Sequence, residues 1–253
     1  MKIVLLLTGE LGTNILTFLT KKGEDIAGVV IIKNQQDPFN VKIIDLCMEN
    51  SILLKEIDGN EDISELLKEM KVDFVLSVYW PYILKKEIID IPKDGIINFH
   101  LSYIPFNRGS NPNVWPIIDN TPAGVTIHFI NEDIDSGAIV CQKKVEFEIT
   151  DTAITLFHKL IYKMTEMFKS EWSDIKNKKF KLIKPDLSKG TLHFKKQFKD
   201  LDEIKLFEET TALKLINHLR AKSFDGQKGA FFIHMGKKVF VKIELEEEQK
   251  NEG

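Results

Sequence analysis

Three residues of this sequence could together transfer an acyl group without a covalent intermediate. Asn98 and His100 stand two positions apart, and Asp135 follows later in the segment Asp135-Ser136-Gly137. An amide N–H stabilises a carbonyl oxygen that becomes an oxyanion, and an imidazole can donate a second hydrogen bond and take the proton of an attacking amine. A nearby carboxylate would orient the imidazole and raise its pKa above the reference of about 6.5. We therefore predict Asn98, His100 and Asp135 as the catalytic residues.

The sequence around Asn98 predicts a strand that delivers two polar side chains to one pocket. A β-branched pair precedes Asn98, which favours a strand over residues 95–100. Residues two apart in a strand face the same side, so Asn98 and His100 point into the pocket while Phe99 enters the core. Apolar and polar residues alternate over 124–131, which predicts another strand. The role of His128 within it stays open.

Apolar runs alternate with helical patterns through the first part of the chain. We predict strands over residues 2–7, 26–32, 52–57 and 72–79, and helices starting near residue 11 and over 41–48, 63–70 and 84–89. This alternation predicts an α/β fold with a doubly wound, mostly parallel, Rossmann-like sheet that is covered on both faces. Ligands of such sheets bind at the carboxyl ends of the strands, near the point where the strand order reverses.

The character of the sequence changes near residue 180. We predict residues 1–180 as a catalytic domain, which ends with a long helix over 152–168. Residues 181–253 are predicted as a small carboxyl-terminal extension, with a helix over 210–222 and a β-hairpin over 228–243 that turns at 235–238. An apolar hairpin this small needs cover, so the segment around Phe231-Phe232 is an expected dimer contact.

Composition narrows the class of protein. The 253 residues carry a formal net charge of −3, from 35 basic and 38 acidic side chains, without a basic stripe that would favour a nucleic-acid partner. The longest apolar run, residues 3–7, is too short to span a bilayer, and the start lacks signal-peptide features. We therefore expect a cytoplasmic protein without a membrane partner.

Cys47 and Cys141 show no metal-ligand spacing, so both are expected to be structural thiols, and no metal is expected.

Three separated segments resemble one known family. They are Asn98–His100 with the following Ser102–Pro105, the segment 122–128, and Asp135–Gly137. In this order and spacing they look like the formyltransferase family, whose members take the formyl group from N10-formyltetrahydrofolate. The resemblance covers residues 1–180 well. The segments 108–115 and 190–194 look similar to the branch that formylates nucleotide-linked amino sugars.

The resemblance implies roles for further residues. It implies that the pterin of N10-formyltetrahydrofolate is held by Trp80, Tyr82, Ile83, Leu84, Ile130, Asn131, Glu132 and Asp133. It implies contacts to a nucleotide-linked amino deoxysugar from Gly9, Glu10, Arg108, Gly109, Ser110 and Asn111. It also implies a homodimer and a place in the biosynthesis of a surface polysaccharide such as lipopolysaccharide O-antigen.

Three functions stay open at this point. The first is formyl transfer to a nucleotide-linked amino deoxysugar. The second is transfer to another amine, such as methionyl-tRNA, and the third is a non-catalytic folate- or nucleotide-binding module. The sequence leaves the base, the sugar and the position of the amine undetermined. The remaining histidines, namely His158, His193, His218 and His234, are expected to be non-catalytic.

Overall fold

The strands of the main sheet are buried on both faces, as their nearly continuous apolar sequences require. The computed structural model describes residues 1–34, 37–59, 62–224 and 226–248. Its strands are, in chain order, β1 (Ile3–Leu7), β2 (Ile26–Ile32), β3 (Leu54–Ile57), β4 (Phe74–Val78), β5 (Ile96–His100), β6 (Arg108–Gly109), β7 (Gly124–Phe129), β8 (Ile139–Lys144), β9 (Leu192–His193), β10 (Ala230–His234) and β11 (Lys237–Val241). Alternate side chains of β1 enter two separate hydrophobic cores, one on each face of the sheet.

Helices cover the sheet and build the carboxyl-terminal part. They are α1 (Gly9–Lys21), α2 (Pro38–Glu49), α3 (Ser64–Met70), α4 (Lys86–Ile89), α5 (Trp115–Asp119), α6 (Ala153–Lys176), α7 (Lys195–Asp200) and α8 (Ala212–Ala221). None of the helices described has the length and apolar character needed to cross a membrane. Cys47 of α2 and Cys141 of β8 are both free thiols.

The topology of the sheet creates a cleft at the carboxyl ends of its central strands. The seven strands lie in the order β3-β2-β1-β4-β5-β7-β8. The chain moves outward from β1 to β3 and then returns to β4 on the other side of β1, so the strand order reverses there. The predicted mostly parallel, Rossmann-like α/β fold is confirmed. The sheet is not purely parallel, because β7 runs antiparallel to both of its neighbours, β5 and β8.

Several elements lacked a clear local signal. Local sequence patterns did not predict α5, α7 or the two-residue pairing of β6 with β9, and they gave no bounds for β8. The helix predicted to end at Phe168 continues to Lys176, because Trp172 and Ile175 still pack into the core beneath the helix. The third strand starts at Leu54 rather than at Ile52.

The carboxyl-terminal hairpin is correctly predicted, with a tighter turn than expected. Strands β10 and β11 pair antiparallel, and Met235 and Gly236 connect them with φ angles of 47° and 76°. Positive φ at both central residues is the signature of the type I′ turn that suits a twisted hairpin.

Helix α8 is anchored by the buried Arg220, whose guanidinium donates 2.7 Å hydrogen bonds to the carbonyl oxygens of Asp151 and Glu148.

Candidate active site

The register of three neighbouring strands places polar side chains in one row. Asn98 of β5 pairs with Ser77 of the parallel strand β4 and with His128 of the antiparallel strand β7. Side chains of directly paired residues lie on the same face of a sheet. His100 lies two residues after Asn98 in β5 and joins that face. All four side chains line one cavity, whereas Phe99 between them is buried in the core.

The amide of Asn98 is oriented by the hydrogen bonds around it. Its Oδ1 accepts a hydrogen bond from Oγ of Ser77 at 3.3 Å. This contact turns Nδ2 toward Asp135, whose Oδ1 lies 3.4 Å away. Nδ2 is also 3.4 Å from Nε2 of His128. The amide nitrogen of Asn98 therefore lies among the cavity-lining side chains of His128 and Asp135, and an N–H donated from it to a substrate oxygen would stabilise an oxyanion.

The loop after β7 turns sharply to bring Asp135 back to the ends of the strands. Asp135 has a φ of 46°, a left-handed conformation that is uncommon for a residue with a side chain. Gly137 passes so close to β7 that a Cβ atom there would lie 1.8 Å from the carbonyl oxygen of Phe129. The backbone N–H of Gly109 donates a 2.8 Å hydrogen bond to Oδ2 of Asp135. Loop geometry and this bond together fix the carboxylate.

His100 lies between two oxygen atoms that accept hydrogen bonds. Its Nε2 is 3.3 Å from the carbonyl oxygen of Asn107 and 3.6 Å from Oδ2 of Asp135. The neutral ring that suits both neighbours carries its proton on Nε2. The other ring nitrogen, Nδ1, is then unprotonated and can accept a proton.

Burial sets the charge states of His100 and Asp135. Burial by itself would raise the pKa of Asp135, but electrostatic attraction to the His100 and His128 rings, the hydrogen bond from His128 and the N–H of Gly109 hold that pKa well below its usual range. The carboxylate is therefore ionised. For His100, burial lowers the pKa and outweighs the attraction of the Asp135 carboxylate. The expectation that Asp135 raises the pKa of His100 above its reference is wrong, because desolvation of the buried ring is the larger effect.

A cavity of about 550 Å³ opens in front of these side chains. The structure brings every residue predicted for folate binding into its wall, namely Trp80, Tyr82, Ile83, Leu84, Ile130, Asn131, Glu132 and Asp133. The rings of Trp80 and Tyr82 meet edge to face with their centroids 6.1 Å apart, so part of this wall is aromatic. Within the described ranges, no group of three or more His, Cys, Asp or Glu side chains is arranged to hold a metal ion.

Comparison with known families assigns this architecture. Residues 1–169 match the family described as formyl transferase, which is more than half of the chain. This chain belongs to the formyl transferase family. Residues 197–247 of this formyl transferase match a second family, described as the N-formyltransferase dimerization C-terminal domain.

Curated relatives include enzymes with two kinds of acceptor in their names. The dTDP-4-amino-4,6-dideoxyglucose formyltransferase of Mycobacterium tuberculosis is 32% identical over 196 residues, which are 76% of this chain and 82% of that protein. The methionyl-tRNA formyltransferase of Malacoplasma penetrans is 25% identical over 256 residues, which are 99% of this chain and 80% of that protein.

Solved structures share the fold over nearly the whole chain. The crystal structure of a 4-N formyltransferase from Francisella tularensis has a TM-score of 0.81 at 29% identity and covers 97% of this chain and 98% of its own. The formyltransferase PseJ from Anoxybacillus kamchatkensis was crystallised with UDP-4,6-dideoxy-4-formamido-L-AltNAc and tetrahydrofolate. It has a TM-score of 0.62 at 25% identity and covers 88% of this chain and 99% of its own.

The loop that follows β5 in this formyl transferase contributes only part of the predicted substrate set to the cavity. Gly109 and Ser110 line the cavity. Arg108 and Asn111 lie outside its wall. Nη1 of Arg108 donates a 3.2 Å hydrogen bond to the carbonyl oxygen of Ile134, so the guanidinium supports the loop that carries Asp135. Arg108 thus has a structural contact whatever its part in substrate binding.

The turn between β1 and α1 lies apart from the cavity wall. A Cβ atom on Gly9 would lie 3.8 Å from the ring of Tyr79, and Gly9 has a φ of 64°. Glu10 lies 3.7 Å from Nδ1 of His158, between α1 and α6. The structure therefore does not bring Gly9 and Glu10 together with the catalytic candidates, and their contact with substrate stays a prediction.

Two features of the cavity escaped the sequence analysis. His128, which it left without a role, lies 3.5 Å from Oδ1 of Asp135 through its Nε2. The sequence did place His128 on the polar face of its strand. Its contact with Asn98, however, is set by the antiparallel register of β5 and β7, which the sequence does not show. His193, expected to be non-catalytic, belongs to a segment from 193 to 196 that lines the cavity.

This segment is docked closely against β6, whose Gly109 binds the Asp135 carboxylate. β9 pairs with β6, so that His193 lies opposite Gly109. Gly109 has a φ of 88°, and a Cβ atom there would lie 2.2 Å from the carbonyl oxygen of His193. The ring of His193 stacks on Trp115 with centroids 4.0 Å apart. The carboxyl-terminal part of the chain is thus built into the wall of the cavity.

Replacing His100 by Gln is expected to make stability less sensitive to acid. Burial lowers the pKa of His100 in the folded protein, whereas the unfolded chain takes up the proton near pH 6.5. The unfolded state thus binds more protons as the pH falls below about 6.5, and folding free energy is lost in that range. Urea unfolding between pH 8 and pH 5 measures the slope, which should become shallower in His100→Gln. The same change at the exposed His158 is the control, and an equal change of slope there would contradict the assignment.

Proposed function

We propose that this formyl transferase moves a formyl group from N10-formyltetrahydrofolate to the amino group of a nucleotide-linked amino deoxysugar. The observation that carries the proposal is the convergence of Asn98, His100 and Asp135 on one wall of a cavity of about 550 Å³. The sequence relative from Mycobacterium tuberculosis and the structural relative from Francisella tularensis support an amino sugar as acceptor.

The chemistry of the cavity wall fits a folate. A pterin is flat and largely apolar on its faces, and it suits a slot with aromatic and aliphatic walls. Trp80, Tyr82, Ile83 and Ile130 supply such aromatic and aliphatic surface in the cavity that Asn98 also lines. The folate supplies the formyl group at the oxidation level of formate, so the protein needs only to bind, orient and move protons.

The three candidates divide these tasks between them. Asn98 donates a hydrogen bond from Nδ2 to the formyl oxygen as negative charge develops on it. Neutral His100 takes the proton of the attacking amine on Nδ1 and later gives it to the departing nitrogen. The ionised Asp135 lies 3.6 Å from Nε2 of His100 and stabilises the positive charge that the ring carries meanwhile. The lowered pKa of His100 keeps its ring unprotonated in the resting protein, so the ring is in the form that can accept a proton.

Two exposed lysines that line the cavity suit the phosphates of a nucleotide. Lys195 and Lys196 line the cavity, are exposed, and form no ion pair with a described residue. Replacing both by Ala is expected to raise the KM for the nucleotide sugar about tenfold, which equals about 1.4 kcal/mol of binding, and to leave kcat nearly unchanged. Steady-state kinetics at low and high salt measure it, since salt screens exposed charges and should shrink the effect.

Lys199 of the same helix is the matched control. It is exposed but lies outside the cavity wall. Lys199→Ala should therefore leave the KM unchanged, and an equal rise there would show a general effect of net charge rather than a phosphate contact.

We further propose that the protein is a homodimer formed through its hairpin. The side chains of Ile233, Val239 and Phe240 are apolar and exposed. They lie on the two-stranded sheet of β10 and β11, which is separate from the seven-stranded sheet. The match to a dimerization C-terminal domain over 197–247 supports this. Sedimentation velocity is expected to give a dimer for the wild type and a monomer for the double variant Ile233→Asp, Phe240→Asp. Tyr162→Asp, at a similarly exposed apolar site on α6, should stay dimeric.

The proposal also covers the domains of the chain and the location of the enzyme in the cell. Residues 1–180 form the catalytic domain and 181–253 the extension, which also carries the segment 193–196 at the cavity. The enzyme acts in the cytoplasm, and its formylated sugar enters a surface polysaccharide such as an O-antigen. The proposed acceptor supports the link to a polysaccharide, because nucleotide-linked sugars are the activated substrates from which glycosyl transfer builds polysaccharides.

The function is tested by incubating the protein with N10-formyltetrahydrofolate and nucleotide-linked 3-amino and 4-amino deoxysugars. We expect release of tetrahydrofolate and a mass gain of one formyl group on one of the sugars. The match to the methionyl-tRNA formyltransferase over 99% of the chain makes methionyl-tRNA the second candidate acceptor. Formylation of methionyl-tRNA, without transfer to any sugar, would overturn the sugar proposal.

A further inference from the structure

A buried histidine that has no part in the steps above lies between two of the catalytic candidates. The side chain of His128 is 2% exposed. Its Nε2 lies 3.4 Å from Nδ2 of Asn98 and 3.5 Å from Oδ1 of Asp135. From β5, the ring of His100 faces it edge to face, with the centroids 6.2 Å apart. Any change in the hydrogen bonding of His128 must therefore reach both Asn98 and Asp135.

The backbone fixes one of the two ring nitrogens of His128. Nδ1 lies 2.9 Å from the carbonyl oxygen of Phe129, which can only accept a hydrogen bond. Nδ1 therefore carries a proton in either charge state of the ring. Nε2 is left with two alternatives, since it can be a lone-pair acceptor or a second N–H donor.

These alternatives have opposite consequences for Asn98. With a bare Nε2, one N–H of Asn98 points to His128 and the other to Asp135, so none is left for a formyl oxygen. With a protonated Nε2, the ring donates to Oδ1 of Asp135 and no longer accepts from Asn98. One N–H of Asn98 then becomes available to the cavity. The hydrogen bond from His128 is also among the contacts that keep Asp135 ionised.

We propose that His128 is a positioning residue whose Nε2–H binds Oδ1 of Asp135 and so leaves the amide of Asn98 free to donate to the formyl oxygen. The inference rests on the proposed formyl transfer. It assigns His128 no contact with either substrate. Its loss should therefore lower kcat and leave both KM values nearly unchanged.

Two variants separate the two nitrogens of the ring. Gln places its amide nitrogen near the position of Nε2 and can donate to Asp135, whereas the shorter Asn reaches only the position of Nδ1 and keeps the contact with Phe129. We expect His128→Gln to retain kcat within about threefold, and His128→Asn to lose about 100-fold, because small displacements of catalytic groups cost about that much. Thermal unfolding should be similar for the two variants. Equal kcat values for Gln and Asn would overturn the proposal.

A measurement without turnover tests the same hydrogen bond. Nitrogen-15 NMR of the histidine side chains reports which ring nitrogens carry protons, and the signals missing in His128→Gln assign His128. We expect a proton on Nε2 of His128 in the wild type, and a bare Nε2 would overturn the proposal. If the wild type transfers no formyl group to any acceptor while Nε2 is protonated, the proposed function fails and the arrangement around Asp135 stands.

Discussion

Asp135→Asn is expected to lower kcat about 10³- to 10⁴-fold, in line with the loss of an imidazole-orienting carboxylate elsewhere. The two oxygens of Asp135 face groups that donate hydrogen bonds, with Gly109 and His100 at Oδ2, and Asn98 and His128 at Oδ1. An Asn side chain replaces one of these acceptors by a donor and removes the negative charge. His100 then loses the charge that stabilises it while it holds the proton. Steady-state kinetics with saturating folate and nucleotide sugar measure the effect.

The matched control is a buried aspartate away from the cavity. Asp151 lies at the start of α6, and its Oδ2 is 2.6 Å from Nζ of Lys159. Asp151→Asn is expected to lower the free energy of unfolding and to leave kcat nearly intact. Binding of tetrahydrofolate, measured by calorimetry, should persist in Asp135→Asn. A loss of kcat in both variants to the same extent would point to damaged folding rather than to the chemistry of Asp135.

Local sequence patterns predict the parts of the site that lie within single strands. Asn98 and His100 follow from the period of a strand, because that period depends only on backbone geometry. The burial of Phe99 follows in the same way. The pairing of Asn98 with His128 does not, since an antiparallel register depends on contacts between distant strands. A histidine on a polar strand face therefore gave no sign of its partner.

Two further features could not be predicted from the sequence: the charge state of His100 and the packing of the segment 193–196 against the cavity. The sign of the pKa shift of His100 depends on how deeply the ring is buried, and burial is a property of the whole fold. The pairing of Gly109 with His193 joins two short segments without a strand-like pattern in either. The presence of Lys195 and Lys196 at the cavity follows from that pairing. Tertiary packing rather than local propensity decides these features.

Asn98→Ala is expected to lower kcat about 10²- to 10³-fold, which corresponds to the loss of one oxyanion donor. The formyl oxygen gains negative charge only as the amine attacks, so the hydrogen bond from Nδ2 strengthens in the transition state. The KM for folate and that for the sugar should change little. Asn98→Asp should lose at least as much, although the side chain has nearly the same size. A carboxylate there has no N–H to donate and would lie next to the ionised Asp135.

A buried asparagine outside the cavity wall, Asn113, separates an effect on the chemistry from an effect on folding. Nδ2 of Asn113 donates a 2.9 Å hydrogen bond to the carbonyl oxygen of Ala153, outside the cavity wall. Asn113→Ala removes that hydrogen bond from a buried side chain, so it should cost about 0.5–1.5 kcal/mol of stability and leave kcat nearly unchanged. Asn98→Ala should show the reverse, because the contacts that its amide makes with described residues are long, at 3.3 to 3.4 Å. If Asn98→Ala instead lost stability and kept its kcat, Asn98 would be a structural residue, and the oxyanion would need another donor.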